Sequence, residues 1–357
     1  MEKVAKRIYI IRVVCFLAVF LLIYCIIQSV FTVDNPQSKI MFEEFYQEPE
    51  MTHDAIYLGP STVYAFWKPT YAFNEYGITA YGLSTGACPV AAYRYMMEEC
   101  LKTQNPLLFI IDIECFVYDQ KALQINFFHQ LTDFMKFSPT KIKMIESVCE
   151  SKGIQGTDKL EYYFPIIRFH SRWSELKKWD FEVDESNFFK GASEISTMKL
   201  DQDQEIEFAF SSETREIISK NKEYLIELLS FCDEKELNVL FVAAPTLGNL
   251  PAHEMINYIG EVIESHGYDF INFNNMTYFK AMGLDPLEDY RHIEHTNIWG
   301  GIKFTKYMGK ILKEEYHLPD RREDPEYESW NQAYGNFLTA VDVRSHRAAD
   351  MMGLPYK

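Results

Sequence analysis

Ser61 follows a short apolar run, Ala55-Ile56-Tyr57-Leu58, and the breaker pair Gly59-Pro60. A serine at the turn from a strand into a helix holds its hydroxyl beside the unpaired N–H groups of the helix start, and such groups stabilise an oxyanion. That placement suits a nucleophile. It also suits a plain helix N-cap, a role serine often fills. A nucleophilic serine needs a base, and the base needs an orienting group. The stretch Asp289-Tyr290-Arg291-His292-Ile293-Glu294-His295-Thr296-Asn297 offers both. In one assignment His295 is the base, oriented by Asp289, Glu294 or His292. In the other, Asp289-x-x-His292 is the acid–base pair and His295 a neighbour. The oxyanion donors are then the backbone N–H of Ser61 and that of Gly86, in the turn Gly82-Leu83-Ser84-Thr85-Gly86-Ala87. Asp112-Ile113-Glu114 closes another run; two acids there either orient a site or favour a helix dipole. His292 and His295 at i, i+3 have no obvious third ligand, so no metal is expected, and no cofactor is called for.

These residues need a frame that brings them to one edge. Five short apolar runs supply it: 55–58, 78–83, 107–113, 239–245 and 269–273. Runs of this length, apolar on both faces, read as buried parallel strands. Helical stretches lie between them at 91–103, 213–236 and 253–266, with a last helix near 299–313. The alternation predicts a doubly wound α/β sheet of about five parallel strands, whose ligands bind at the carboxyl ends of the strands. Residues 116–205 break the pattern. They are rich in aromatics and charge and read as a mostly helical insertion, either a packed cap or a lid or partner surface. The mixed-charge stretch 320–325 reads as solvated. Beyond it, Trp330, Tyr334 and Phe337 suggest that the tail 316–357 lies back on a domain spanning 51–315.

The chain has 357 residues and a formal charge of −17. Residues 1–33 carry Lys3, Lys6, Arg7 and Arg12 against Glu2, +3, which leaves −20 on the remainder. A nucleic-acid binder needs the opposite balance. Val13 to Val33 is an uncharged, mostly apolar run of 21 residues, long enough to cross a bilayer as a helix. Its basic flank, residues 1–12, places the N-terminus in the cytoplasm by the positive-inside rule. Everything after a tether at 34–50 is then extracellular. Of seven cysteines, Cys15 and Cys25 lie in the apolar run. Cys88, Cys100, Cys115, Cys149 and Cys232 match no disulfide or zinc framework and read as small buried side chains.

Taken in order, these pieces resemble the SGNH (GDSL-type) hydrolase superfamily. The strand with Leu58-Gly59-Pro60-Ser61 is similar to its first block, and 289–295 to its final Asp-x-x-His block. The closest resemblance is to the membrane-anchored branch typified by the D-alanyl transfer (DltD-type) proteins of Gram-positive bacteria. It rests on the anchor, on Phe241-Val242-Ala243-Ala244-Pro245, and on His295-x-Asn297-x-x-Gly300 followed by Lys303-Phe304-Thr305. The resemblance implies a flavodoxin-like SGNH fold and an extracellular serine esterase or O-acyltransferase acting on O-acyl groups of a cell-envelope polymer. It also implies a polytopic membrane O-acyltransferase as partner. Two departures stand out: Pro60 replaces the aspartate of Gly-Asp-Ser, and Asp112-Ile113-Glu114 stands where Gly-x-Asn-Asp would follow the third strand. They motivate the alternative of a catalytically inactive scaffold in an envelope-modifying membrane complex.

Overall fold

A computed structural model describes residues 2–31, 36–182, 184–191, 194–201 and 210–352. Each apolar run holds one strand: β1 (Ala55–Gly59), β2 (Ala80–Ser84), β3 (Leu108–Asp112), β4 (Val239–Ala243) and β5 (Asp269–Asn272). All pair in parallel, in the order β2-β1-β3-β4-β5. β1 to β4 are buried along their whole length, which is why they read as continuous apolar runs rather than alternating ones. The chain leaves β1 for β2 on one side, then crosses to β3 on the other. The carboxyl ends of β1 and β3 therefore flank the point where the winding reverses, the usual place for a ligand crevice.

Before the sheet come α1 (Glu2–Phe31) and α2 (Pro36–Gln47). Between strands run α3 (Ser61–Phe66), α4 (Pro69–Tyr76) and α5 (Tyr93–Cys100). The segment 116–205 contains no strand among its described residues. It carries α6 (Ile125–Thr132), α7 (Pro139–Lys152), α8 (Leu160–Tyr163), α9 (Ile166–Phe169) and α10 (Lys178–Phe181). Then follow α11 (Ser219–Glu234), α12 (Leu250–Ser265), α13 (Met276–Met282) and α14 (Pro286–Asp289). A small hairpin, β6 (Tyr290–His292) and β7 (His295–Thr296), leads into α15 (Ile298–Glu314) and finally α16 (Glu328–Met352).

Alternate strand residues feed two cores. Ile56, Leu58, Phe109, Ile111 and Phe241 meet α2, α5, α7, α11 and α12 on one face. Tyr57, Ile110, Leu240 and Val242 meet α3, α13 and α15 on the other. The insertion is thus partly core, since Met144, Ile145 and Val148 of α7 are fully buried. The tail folds back through Trp330, whose ring lies 5.4 Å from that of Phe73, and through Arg321, which grips both carboxylate oxygens of Asp54 at 2.7 and 2.9 Å. The stretch 320–325 is accordingly a docking strap rather than a purely solvated one. The five cysteines beyond the apolar helix are buried thiols.

The tether reading of 34–50 needs correction. Residues 36–47 form α2, which buries Met41, Phe42 and Phe45 at helical spacing. Glu44 of α2 accepts the backbone N–H groups of Lys190 and Gly191 at 2.7 and 2.8 Å, which fastens the helix to the insertion. Its polar face made it read as a linker. Residues 34 and 35 lie outside the described residues.

Gly59 is the position on which the turn into Ser61 depends. A Cβ there would lie 2.7 Å from Asp112 Cβ and 2.8 Å from Val63 Cγ2. Gly59→Ala should therefore destabilise the fold by about 1–3 kcal/mol through overpacking. Gly335→Ala is the control: it sits on an exposed face of α16 with nothing near its Cβ, and should gain up to about 1 kcal/mol of helix propensity. Urea unfolding of the two variants beside the parent should give shifts of opposite sign.

Candidate active site

Ser61 opens α3 immediately beyond β1, with Pro60 as the capping residue and no side-chain cap bond. The N-cap role considered for Ser61 is therefore not the one it fills. Its Oγ lies 2.7 Å from Nε2 of His295, on β7. The two residues are 234 positions apart in sequence. Tyr64, one turn along α3, stacks over the His295 ring at 6.2 Å. Burial is the main cause that pushes the Tyr64 phenol up to about 12, so it stays protonated and able to donate near neutral pH.

The hairpin reaches Ser61 because several bonds hold it there. Thr296 Oγ1 donates to the Ala65 carbonyl at 2.7 Å. Asn297 caps α15 through the N–H groups of Trp299 and Gly300 and donates its own N–H to the Asp289 carbonyl. Gly300 must lack a Cβ, which would sit 2.4 Å from that same carbonyl. The spacing His295-x-Asn297-x-x-Gly300 thus closes a hairpin onto a helix start. Lys68, fully buried, closes the other end of α3 by donating to the carbonyls of Tyr64, Ala65 and Glu194 at 2.8, 2.9 and 2.8 Å. Burial pushes its ammonium down to about 7.

None of the three candidate orienting groups is hydrogen-bonded to His295. Asp289 is buried and committed elsewhere: it pairs with Lys303 at 2.7 Å and accepts the Asp285 N–H at 2.7 Å. It staples the base of the hairpin to α15. Glu294 accepts the Tyr118 hydroxyl at 3.1 Å. His292 is half exposed, its ring 5.8 Å from that of His295. The Asp289-x-x-His292 assignment fails for the same reasons, because neither side chain reaches Ser61.

Arg291 takes the orienting position instead. Its Nη2 lies 3.4 Å from His295 Nδ1, and its Nε and Nη2 both donate to Glu194 Oε2 at 3.1 and 2.7 Å. A guanidinium has no acceptor, so Nδ1 must accept. The neutral imidazole then carries its proton on Nε2 and donates it to Ser61 Oγ. That is the tautomer opposite to the one a ready general base requires. Burial is the largest cause that pushes His295 down to about 3, followed by the charges of Arg291, His292 and Lys68. Sequence reasoning singled out none of Arg291, Glu194, Lys68 and Tyr64 as a group acting on the histidine. Only Tyr64 carried a signal, its i+3 spacing from Ser61 on one helix face.

Both backbone donors foreseen for the oxyanion are engaged. The Ser61 N–H donates to the Gly86 carbonyl at 3.2 Å, and the Gly86 N–H to Gln130 Oε1 of α6 at 2.7 Å. Asp112 and Glu114 lie buried at the end of β3, near Thr62. Burial raises both carboxyls, and Glu114 is raised further by Asp112 and Glu294, with Tyr118 bridging Glu114 and Glu294. They do not orient the histidine. A cavity of about 100 Å³ opens beside Gly86, walled by Met41, Tyr64, Ser84, Thr85 and Phe127. A larger open cleft of about 870 Å³ lies between α5, α7 and α11 and touches none of these groups. Among the described residues, no cluster of three or more histidine, cysteine or acidic side chains is arranged to hold a metal.

The tautomer can be read directly. In protein labelled with 15N-histidine, His295 should give the shifts of an Nε2–H imidazole and remain neutral at pH 4.5, where a free imidazole is charged. Arg291→Ala removes a cation and should raise its pKa, while burial, the larger cause, keeps it below about 6.5. A His295 that titrates near 6.5 in the parent chain would rule out the arrangement. Compared with known family models, curated proteins and solved structures, the chain matches none.

Proposed function

We propose that the chain is a membrane-anchored serine esterase or O-acyltransferase of the SGNH type, acting outside the cell on O-acyl groups of an envelope polymer. The observation that carries this reading is the 2.7 Å contact between Ser61 Oγ and His295 Nε2 at the carboxyl edge of a parallel sheet. The strand order β2-β1-β3-β4-β5 is that of flavodoxin-like folds, which agrees with the resemblance. α1 is long and apolar enough to span a bilayer, and none of its apolar window is buried against protein, so lipid is the natural solvent for it. The basic N-terminal flank favours a cytoplasmic N-terminus and an exterior domain.

In this reading Ser61 Oγ attacks the ester carbonyl while its proton passes to His295 Nε2. His295 returns that proton to the leaving alcohol as the tetrahedral adduct collapses to an acyl-enzyme. Water or an acceptor hydroxyl then releases the acyl group by the same steps reversed. Nε2 must be free of its proton first, so Arg291 has to leave Nδ1 before attack. Tyr64 is the donor placed to hold the oxyanion, and Gly86 joins it when Gln130 withdraws. The cavity beside Gly86, about 100 Å³ and walled in part by Tyr64, is the pocket offered for the acyl group, and its size suits a short one. A polytopic membrane O-acyltransferase is the partner that would supply or receive that group.

A second reading is favoured by specific observations. Arg291 on Nδ1 and Gln130 on the Gly86 N–H both oppose catalysis, as a retained but inactive scaffold would allow.

Full-length chain in detergent should react with a fluorophosphonate at Ser61, located by mass spectrometry. Ser61→Ala should abolish the adduct, and His295→Ala should slow it by about 10²–10⁴. A folded chain that takes no label, together with undiminished cellular function of Ser61→Ala, would establish the scaffold.

A further inference from the structure

The insertion presents apolar side chains where the domain meets α1. Phe164 packs edge-on against Tyr24 of α1, ring centroids 6.2 Å apart. α9, α10 and the turn at 170–174 also pack against α1. Arg172 fastens this junction: it donates to the carbonyl of Phe31, the last residue of α1, at 2.5 Å, and pairs with the buried Asp180 at 2.9 Å. Tyr24 lies seven residues before Phe31, which at 1.5 Å per residue is about 10 Å back along the helix axis. The insertion therefore descends alongside the apolar helix rather than standing off its end.

Its outer side chains are large and uncovered. Trp173 is 72% exposed, Phe181 63%, Ile167 47% and Phe164 43%. In a chain with a formal charge of −17, the stretch 164–181 carries Arg168, Arg172, Lys177 and Lys178 against only Glu175 and Asp180. Exposed aromatics amid long basic side chains, on a surface continuous with a bilayer-length helix, have the chemistry of the lipid interface. Aromatic rings sit at headgroup level, and Lys and Arg reach towards anionic headgroups.

We infer that the surface formed by Phe164, Ile167, Trp173 and Phe181 is a membrane foot. It beds into the interfacial layer of the leaflet from which α1 emerges and holds the Ser61 site at a fixed height and tilt over that leaflet. The inference rests on the anchoring reading of α1. A domain held only by a flexible linker would leave these rings in water. The foot places them among headgroups and upper acyl chains.

Tryptophan quenching by brominated phospholipids tests this with the full-length chain in vesicles containing anionic lipid. Bromines near the headgroup should quench the parent chain more than bromines deep in the acyl chains, and Trp173→Phe should lose that shallow component. Trp173 is exposed, so the variant keeps its fold. Leu21→Trp, made in the Trp173→Phe background, reports on α1 separately and should be quenched by deep bromines. If Leu21→Trp is quenched but Trp173→Phe loses nothing relative to the parent, the anchor stands and the foot is overturned, which leaves the surface to a protein partner. If Leu21→Trp is not quenched either, the anchoring reading fails, and the foot with it.

Discussion

The site depends on one clamp, the β6–β7 hairpin pressed against α3. Ser61 and His295 meet only because Thr296 holds the Ala65 carbonyl, Asn297 ties the hairpin to α15, and Gly300 lets that helix start against the Asp289 carbonyl. Lys68 finishes the joint from below. Its ammonium is shared among three carbonyls, two at the end of α3 and one from Glu194 in the insertion. A buried cation at a helix carboxyl end is favoured by the dipole but costs desolvation. The depressed pKa of Lys68 registers that cost. Three parts of the chain, around residues 61–68, 194 and 289–305, are therefore mutually dependent, and the Ser61–His295 distance reports on all of them.

The electrostatics around His295 run against the charge of the whole protein. The chain is strongly acidic, yet the groups that act on His295 are Arg291, His292 and Lys68. An imidazolium formed there would stand among cations in a largely desolvated pocket. A drop from about 6.5 to about 3 corresponds to roughly 5 kcal/mol against protonation. Glu194 offsets the Arg291 charge but does not contact the imidazole, so it cannot fix the tautomer as an orienting carboxylate would. In the catalytic reading, Arg291 must both leave Nδ1 and lower its field before Ser61 can lose a proton. Turnover would then be gated by whatever displaces that guanidinium, and the serine would be protected from idle hydrolysis until it is displaced.

Much of the frame was legible in the sequence because burial on both faces leaves a direct compositional trace. Each of the five apolar runs overlaps its strand, the ends differing by no more than two residues. Position at one sheet edge pointed to Ser61 and to the stretch 289–297 as its partner, but left His292 and His295 both open. The orienting group could not be read that way. Asp289 three residues before a histidine looks catalytic by type and spacing, but it answers a local demand: Lys303 and the Asp285 N–H at the hairpin base. Glu194 and Gln130 come from an insertion with no periodic signal, and their reach into the site is purely tertiary. α2 was hidden for a different reason. Its apolar residues Met41, Phe42 and Phe45 are few and sit among acids, so a packed helix has the composition of a linker.

α2 is tied directly to the site. The Ser84 N–H points at the Met41 sulfur, 3.2 Å away, and Tyr81 donates its hydroxyl to the Met41 carbonyl at 2.7 Å, so α2 is bonded to the strand that ends at the glycine turn. Met41 also walls the cavity beside Gly86, opposite Phe127 and Gln130 of the insertion. The cavity therefore lies between α2 and the insertion that packs beside α1. A movement of the insertion relative to α2 would change the separation of those two walls and move Gln130 relative to Gly86, and hence change the availability of that N–H. In the proposed reading, an acyl donor arriving from the membrane meets the cavity at this joint, and a membrane partner that shifts the insertion would open the acyl cavity and free the Gly86 donor in a single motion.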